Sequence, residues 1–133
     1  MIMTYIIKDP IFSRIYKILI FKNEEDVSEF EVKNNIDFGI RDKYLSSICG
    51  NFFVDQNFSV ITIPSIILED LSPKILSKLA KECMYCMFDT FDLMDIKLDL
   101  DNQETPAYYF EWLYTESLNI VYKYQKLTQK DDL

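Results

Sequence analysis

Apolar positions are spaced differently in the two halves of the chain. In the first half they fall in short runs rich in β-branched and aromatic residues. Residues 11–21, IFSRIYKILIF, mix Phe12, Arg14, Tyr16 and Leu19 with Ile15, Ile18 and Ile20, a texture that predicts a strand. Asn23 stands three residues before Asp26 in the manner of a helix cap. Val27, Phe30 and Val32 then give EEDVSEFEV a weakly apolar face, so a short surface helix follows. A connector holding Gly39 and Gly50 leads into NFFVDQNFSVITI, whose two apolar runs flank Asp55-Gln56-Asn57 and predict a β-hairpin.

The second half has helical spacing. Ser72 and Pro73 suit a cap and a first turn, and Leu76, Leu79, Ala80, Cys83, Met84, Met87, Phe88 and Phe91 recur on one face of a long, largely buried helix. A polar, acidic connector from Asp95 to Asn102 precedes a second helix. Its expected core face is Ala107, Phe110, Leu113, Tyr114, Ser117 and Val121, with Pro106 in the first turn, where a missing amide hydrogen costs little. No repeat or linker interrupts the pattern, and only the last four residues, KDDL, are expected to fray. The expected architecture is α+β: a small antiparallel or mixed sheet packed on two long C-terminal helices, in one domain spanning residues 1–133.

Composition sharpens this picture. The 133 residues are 49% hydrophobic, enough apolar surface to offset chain entropy, and two glycines leave no material for a glycine-rich phosphate loop. A net charge of −8 repels phosphate backbones and anionic lipid, so direct nucleic-acid binding is not expected. Cys49, Cys83 and Cys86 are odd in number, which fits a reducing cytoplasm better than a disulfide framework. Lys8, Asp9, Arg14 and Lys17 break the apolar N-terminal stretch before it reaches a membrane-spanning length, so neither a signal peptide nor a membrane helix is expected.

The chemistry-bearing residues lie in the helical half. Glu82 falls in Lys81-Glu82-Cys83-Met84-Tyr85, and Glu104 follows in DNQETPAYYFEWL. This arrangement resembles the zincin metallopeptidases, where H-E-x-x-H on one helix presents two imidazoles to zinc, the glutamate acts as general base, and a third ligand comes from the next helix. More narrowly, Leu76 to Leu118 is similar to small bacteriophage proteins of the form L-x-H-E-C-x-H followed by an acidic link and a tyrosine-rich helix. The resemblance implies a zincin-like fold.

The departures bear on function. Lys81 replaces the first histidine and Tyr85 the second, and the chain has no histidine at all. A protonated ammonium has no lone pair to offer a dication, so neither metal nor cofactor is expected and the chain is read as a non-enzyme. Cys83 and Cys86 lie on or near the apolar stripe without a second pair to complete four ligands, so they read as core thiols. Glu82 and Glu104 as a metal-free acid/base pair compete with a plainer reading, local pairing of Glu82 with Lys81 and Lys78.

Two functions from different classes follow. The first is an inactive, zincin-like phage protein that binds and inhibits a host defence or regulatory protein, with Tyr109 and Trp112 as exposed aromatic anchors. The second is an acidic mimic of DNA. Eight acids and one base between Asp89 and Glu116, with Asp95, Asp99 and Asp101 at their centre, would imitate phosphates towards a nucleic-acid-binding protein. A metal-dependent hydrolase using cysteine and glutamate is a third and weaker reading.

Overall fold

The computed structural model describes residues 3–38 and 49–131. Residues 39–48, with Gly39 of the expected connector, lie outside them, as do the last two residues of the terminus expected to fray. The chain forms β1 (Met3–Lys8), β2 (Ile15–Phe21), α1 (Glu24–Asn34), β3 (Gly50–Phe53), β4 (Phe58–Pro64), α2 (Pro73–Leu93) and α3 (Glu104–Asp131), with short 3-10 turns at Ser65–Glu69 and Leu100–Asn102.

The four strands make one mixed sheet in the order β1-β2-β4-β3. β1 and β2 pair antiparallel, as do β3 and β4, and β2 runs parallel to β4 with Ile18 opposite Ile61. Side chains alternate across the sheet. Tyr16, Ile18, Ile20, Ile61 and Ile63 enter the large core with Cys83, Cys86, Met87 and Phe91 of α2 and Tyr109, Leu113 and Val121 of α3. Leu19, Phe21 and Val60 face the other way and pack with Val27 and Phe30 of α1. Because β2 is covered on both faces, its sequence reads as a nearly unbroken apolar run and not as an alternation.

The β3–β4 hairpin and the two long helices stand where the sequence places them. The strand expected from residue 11 instead starts at Ile15, and β1 was not foreseen. Asp9 explains both. Its Oδ1 accepts the amide hydrogens of Ile11 and Phe12 (2.7 and 3.1 Å), and its own amide donates to the Arg14 carbonyl (2.8 Å). Ser13 completes the turn at φ 61°. A side chain that satisfies backbone amides locally competes with the sheet ladder, so apolar residues 11 and 12 turn the chain instead of extending it.

In α1 the Asn23 side chain caps the amide of Asp26 (3.0 Å) and Val27 and Phe30 are buried, but Val32 points to solvent. The stripes of α2 and α3 are also rotated from expectation. In α2 the buried set is Leu79, Glu82, Cys83, Cys86, Met87, Thr90 and Phe91, whereas Met84 and Phe88 are exposed. In α3 it is Tyr109, Leu113, Ser117, Val121 and Tyr124, whereas Ala107 is exposed. No helix among the described residues is long and apolar enough to cross a membrane.

Candidate ligand pocket and the polar chain behind it

The β1–β2 turn and the first turns of α3 enclose an apolar cavity of about 380 Å³, lined by Asp9, Pro10, Ile11, Phe12, Thr105, Tyr108, Tyr109 and Trp112. Phe12, Tyr109 and Trp112 form its inner wall, and Phe91, outside the lining, packs against Phe12 and Tyr109. Tyr109 packs against Trp112 (5.4 Å between centroids), Phe91 (5.3 Å) and Phe12 (5.8 Å). Such edge and tilted contacts fix ring orientation beyond simple burial.

Behind the rings runs a chain of hydroxyls. Tyr109 Oη donates to Asp9 Oδ2 at 2.7 Å, lies 2.5 Å from Tyr16 Oη, and Tyr16 Oη lies 2.5 Å from Thr90 Oγ1. Tyr109 gives its single hydroxyl hydrogen to Asp9, so the direction of the other bonds follows: Tyr16 donates to Tyr109, and Thr90 to Tyr16. Bonds aligned in one direction polarise one another, and the chain ends on the Asp9 carboxyl group. Burial pushes the Tyr109 phenol far above its ordinary range, and neighbouring Tyr16 and Asp9 add to the effect. Tyr16 is raised too, chiefly by burial. Both phenols therefore stay protonated, as donors must.

Arg14 holds the turn from the other side. It is 1% exposed, and its guanidinium donates to the carbonyls of Asp55 (2.9 Å) and Gln56 (2.8 Å) and to Ser59 Oγ (2.5 Å). The β1–β2 turn is thus tied to the β3–β4 turn. Asp9, Phe12, Arg14, Tyr16 and Thr90 were not singled out for function from the sequence; the Asp9-Pro10 pair was the available signal for a turn.

The residues of the degenerate motif are dispersed. Lys81 and Tyr85 are exposed, while Glu82 turns inward. Burial raises the Glu82 carboxyl above the usual carboxylate range and Lys81 opposes this. Lys81 and Glu82, adjacent in sequence, therefore face different environments, one solvent and the other the interior. Glu104 is exposed at the first residue of α3. Cys83 Sγ meets Ser117 Oγ at 3.5 Å, and the stretch of α3 from Glu104 to Ser117 spans roughly 20 Å at the helical rise, so Glu82 and Glu104 do not converge. Among the described residues, no group of three or more histidine, cysteine, aspartate or glutamate side chains is arranged to hold a metal ion.

The two aromatic candidates are brought together, with a correction. Tyr109 is buried and not an exposed anchor, because its hydroxyl is the middle of the polar chain. Trp112 is half-buried on the pocket wall, and Tyr108, 68% exposed, stands at the rim. Asp95, Asp99 and Asp101 are exposed on the connector that runs into α3. No known family model, curated protein or solved structure matches the chain.

Two outcomes follow for the buried groups of α2 and the thiol beside it. Burial pushes the thiols of Cys49 and Cys83 up to about 12. The unfolded thiols titrate near 9, so the folded state is favoured in full below that pH and loses stability as pH rises from about 9 to 12. Chemical denaturation across that range should show the loss, and a Cys49→Ala, Cys83→Ala double variant should show less of it. Glu82→Gln is expected to be more stable than the wild type at pH 7, because the amide avoids the charge that burial penalises. The raised carboxyl favours the wild type fully only below its unfolded value and that gain is lost as pH rises, so the advantage of the variant should vanish near pH 4 in urea titrations.

Proposed function

We propose that the protein is a binding protein whose pocket beside α3 receives an apolar anchor residue from a basic segment of a protein partner. The observation that carries this reading is the cavity itself: apolar walls, one half-buried tryptophan, and a rigid floor whose polar groups are already satisfied by one another. Such a site offers burial to a side chain and little to a polar metabolite. The exposed acids Asp95, Asp99, Asp101 and Glu104 precede the pocket-lining turn of α3 and complement a positively charged partner. The resemblance of Leu76 to Leu118 to small phage proteins, with Lys81–Tyr85 as a degenerate motif, supports a zincin-like, inactive relative acting in host cytoplasm, with a host defence or regulatory protein as the partner and inhibition as the consequence.

The exposed acids also support a second reading, an acidic mimic of DNA. The two differ in what holds the complex. Trp112→Ala should raise the dissociation rate and cost about 2 kcal/mol or more if the pocket holds an anchor. Reversal of Asp95, Asp99 and Asp101 to lysine should slow association and leave dissociation nearly unchanged, since exposed charges steer encounter. Affinity capture from host lysate with wild-type and Trp112→Ala baits tests the reading. Loss of a specific protein from the variant eluate is the expected result, and equal recovery with both baits overturns the pocket as the contact. Binding abolished by the charge reversals alone favours the mimic.

A further inference from the structure

The outer face of α2 is patterned in a way that contacts among the described residues do not explain. Lys74, Lys78 and Lys81 lie along its first half, and Asp89 and Asp92 along its second. Between them Met84, Tyr85 and Phe88 are each 39–44% exposed. At about 100° per residue these positions share one side of the helix, opposite the buried stripe of Leu79, Cys83, Cys86 and Thr90.

The helix macrodipole favours the reverse order, acids near the N-terminus and bases near the C-terminus. Here the first turn carries a lysine and no acid, and the last turn an aspartate and no base. Each misplaced charge weakens the isolated helix slightly. A face that departs from the local preference at both ends, with apolar side chains at its centre, is accounted for by what docks on it.

We propose that α2 pairs with the α2 of a second copy of this chain, antiparallel and about a twofold axis at Tyr85. A twofold interface must be self-complementary, each residue meeting a partner that meets it in return. This face satisfies that requirement. Lys78 and Asp92 stand equally far before and after Tyr85, as do Lys81 and Asp89, so both pairs meet with opposite charge when the helices run in opposite directions. Met84, Tyr85 and Phe88 of the two copies then fill the centre, where methionine and aromatic rings pack adaptably. The surface is separate from the pocket lined by Trp112, so dimer formation stands or falls independently of partner binding.

Sedimentation equilibrium with a charge swap is the test. At about 50 mM salt and on the order of 100 μM chain, the wild type should sediment as a dimer of the 15.9 kDa chain. Lys78→Glu places acid against Asp92 twice, and Asp92→Lys places base against Lys78 twice, so each variant alone should dimerise roughly tenfold more weakly or worse. Mixed in equal amounts, the two variants should recover the dimer, because the carboxylate introduced at position 78 of one copy then meets the ammonium introduced at position 92 of the other. A misfolded variant could not be rescued by its partner, so recovery separates lost pairing from lost folding. Asp89 is left intact because Arg14 lies within its electrostatic reach. A wild type that is monomeric under these conditions, or variants that dimerise as well alone as mixed, would overturn the proposal.

Discussion

Asp9→Ala is expected to destabilise the fold by about 3 kcal/mol, a large share of the stability of a domain this size. Three donors lose their acceptor together: the amides of Ile11 and Phe12 and the buried hydroxyl of Tyr109. The amides can recover water at the surface, but the hydroxyl cannot, and an unsatisfied buried donor carries its full desolvation penalty. Tyr109→Phe should cost less, about 2 kcal/mol, since Asp9 keeps both turn amides while Tyr16 loses its acceptor. Tyr16→Phe leaves the Tyr109 to Asp9 bond intact, so the three variants rank the links of the chain. Urea unfolding of the single variants and of the Asp9→Ala, Tyr109→Phe pair should give a combined cost well below the sum of the two. Simple additivity would mean that the hydroxyl chain contributes nothing as a unit.

Arg14→Ala carries the second large effect, an expected loss of about 3–4 kcal/mol. The side chain is fully enclosed, lies over the rings of Phe53 (5.2 Å) and Tyr16 (5.9 Å), and donates to three acceptors on the β3–β4 hairpin. Truncation therefore leaves a void and three bereft acceptors at the seam between the two turns. Lysine is a telling control, because one ammonium on a flexible stem cannot match a planar fork that reaches two carbonyls and a hydroxyl at once. Arg14→Lys should recover part of the loss and no more, measured by the denaturation midpoint at constant slope. Arg14→Lys at wild-type stability would show that charge alone, and not the fork, holds the turns.

How far the sequence was legible follows from what each signal encodes. The β3–β4 hairpin and α2 were readable because Asp55-Gln56-Asn57 and Ser72-Pro73 act through local chemistry. β1 and the start of β2 were not, because Asp9 diverts Ile11 and Phe12 into a turn whose stability depends on Tyr109, a hundred residues away. The helix stripes were displaced for a related reason. Apolar periodicity assigns Met84 and Phe88 to the core and Glu82 and Thr90 to the surface, yet Thr90 is buried because Tyr16 gives it a hydrogen-bond partner. Tyr109 was placed outside for the same want of a visible partner. The pocket could not be read at all, since its walls come from residues 9–12 and 105–112 and no spacing rule joins them.

Trp112 is the only tryptophan in the chain and lines the pocket, so its emission reports on that site alone. The most direct measurement is a titration with a short lysine- and arginine-rich peptide carrying one phenylalanine, followed through Trp112 fluorescence, beside the same peptide with alanine in place of the phenylalanine. An anchored pocket predicts a saturable blue shift with the first peptide and a far weaker response with the second, the difference shrinking little as salt rises. Identical responses to both peptides, or emission that never changes while the peptide demonstrably binds, would contradict it.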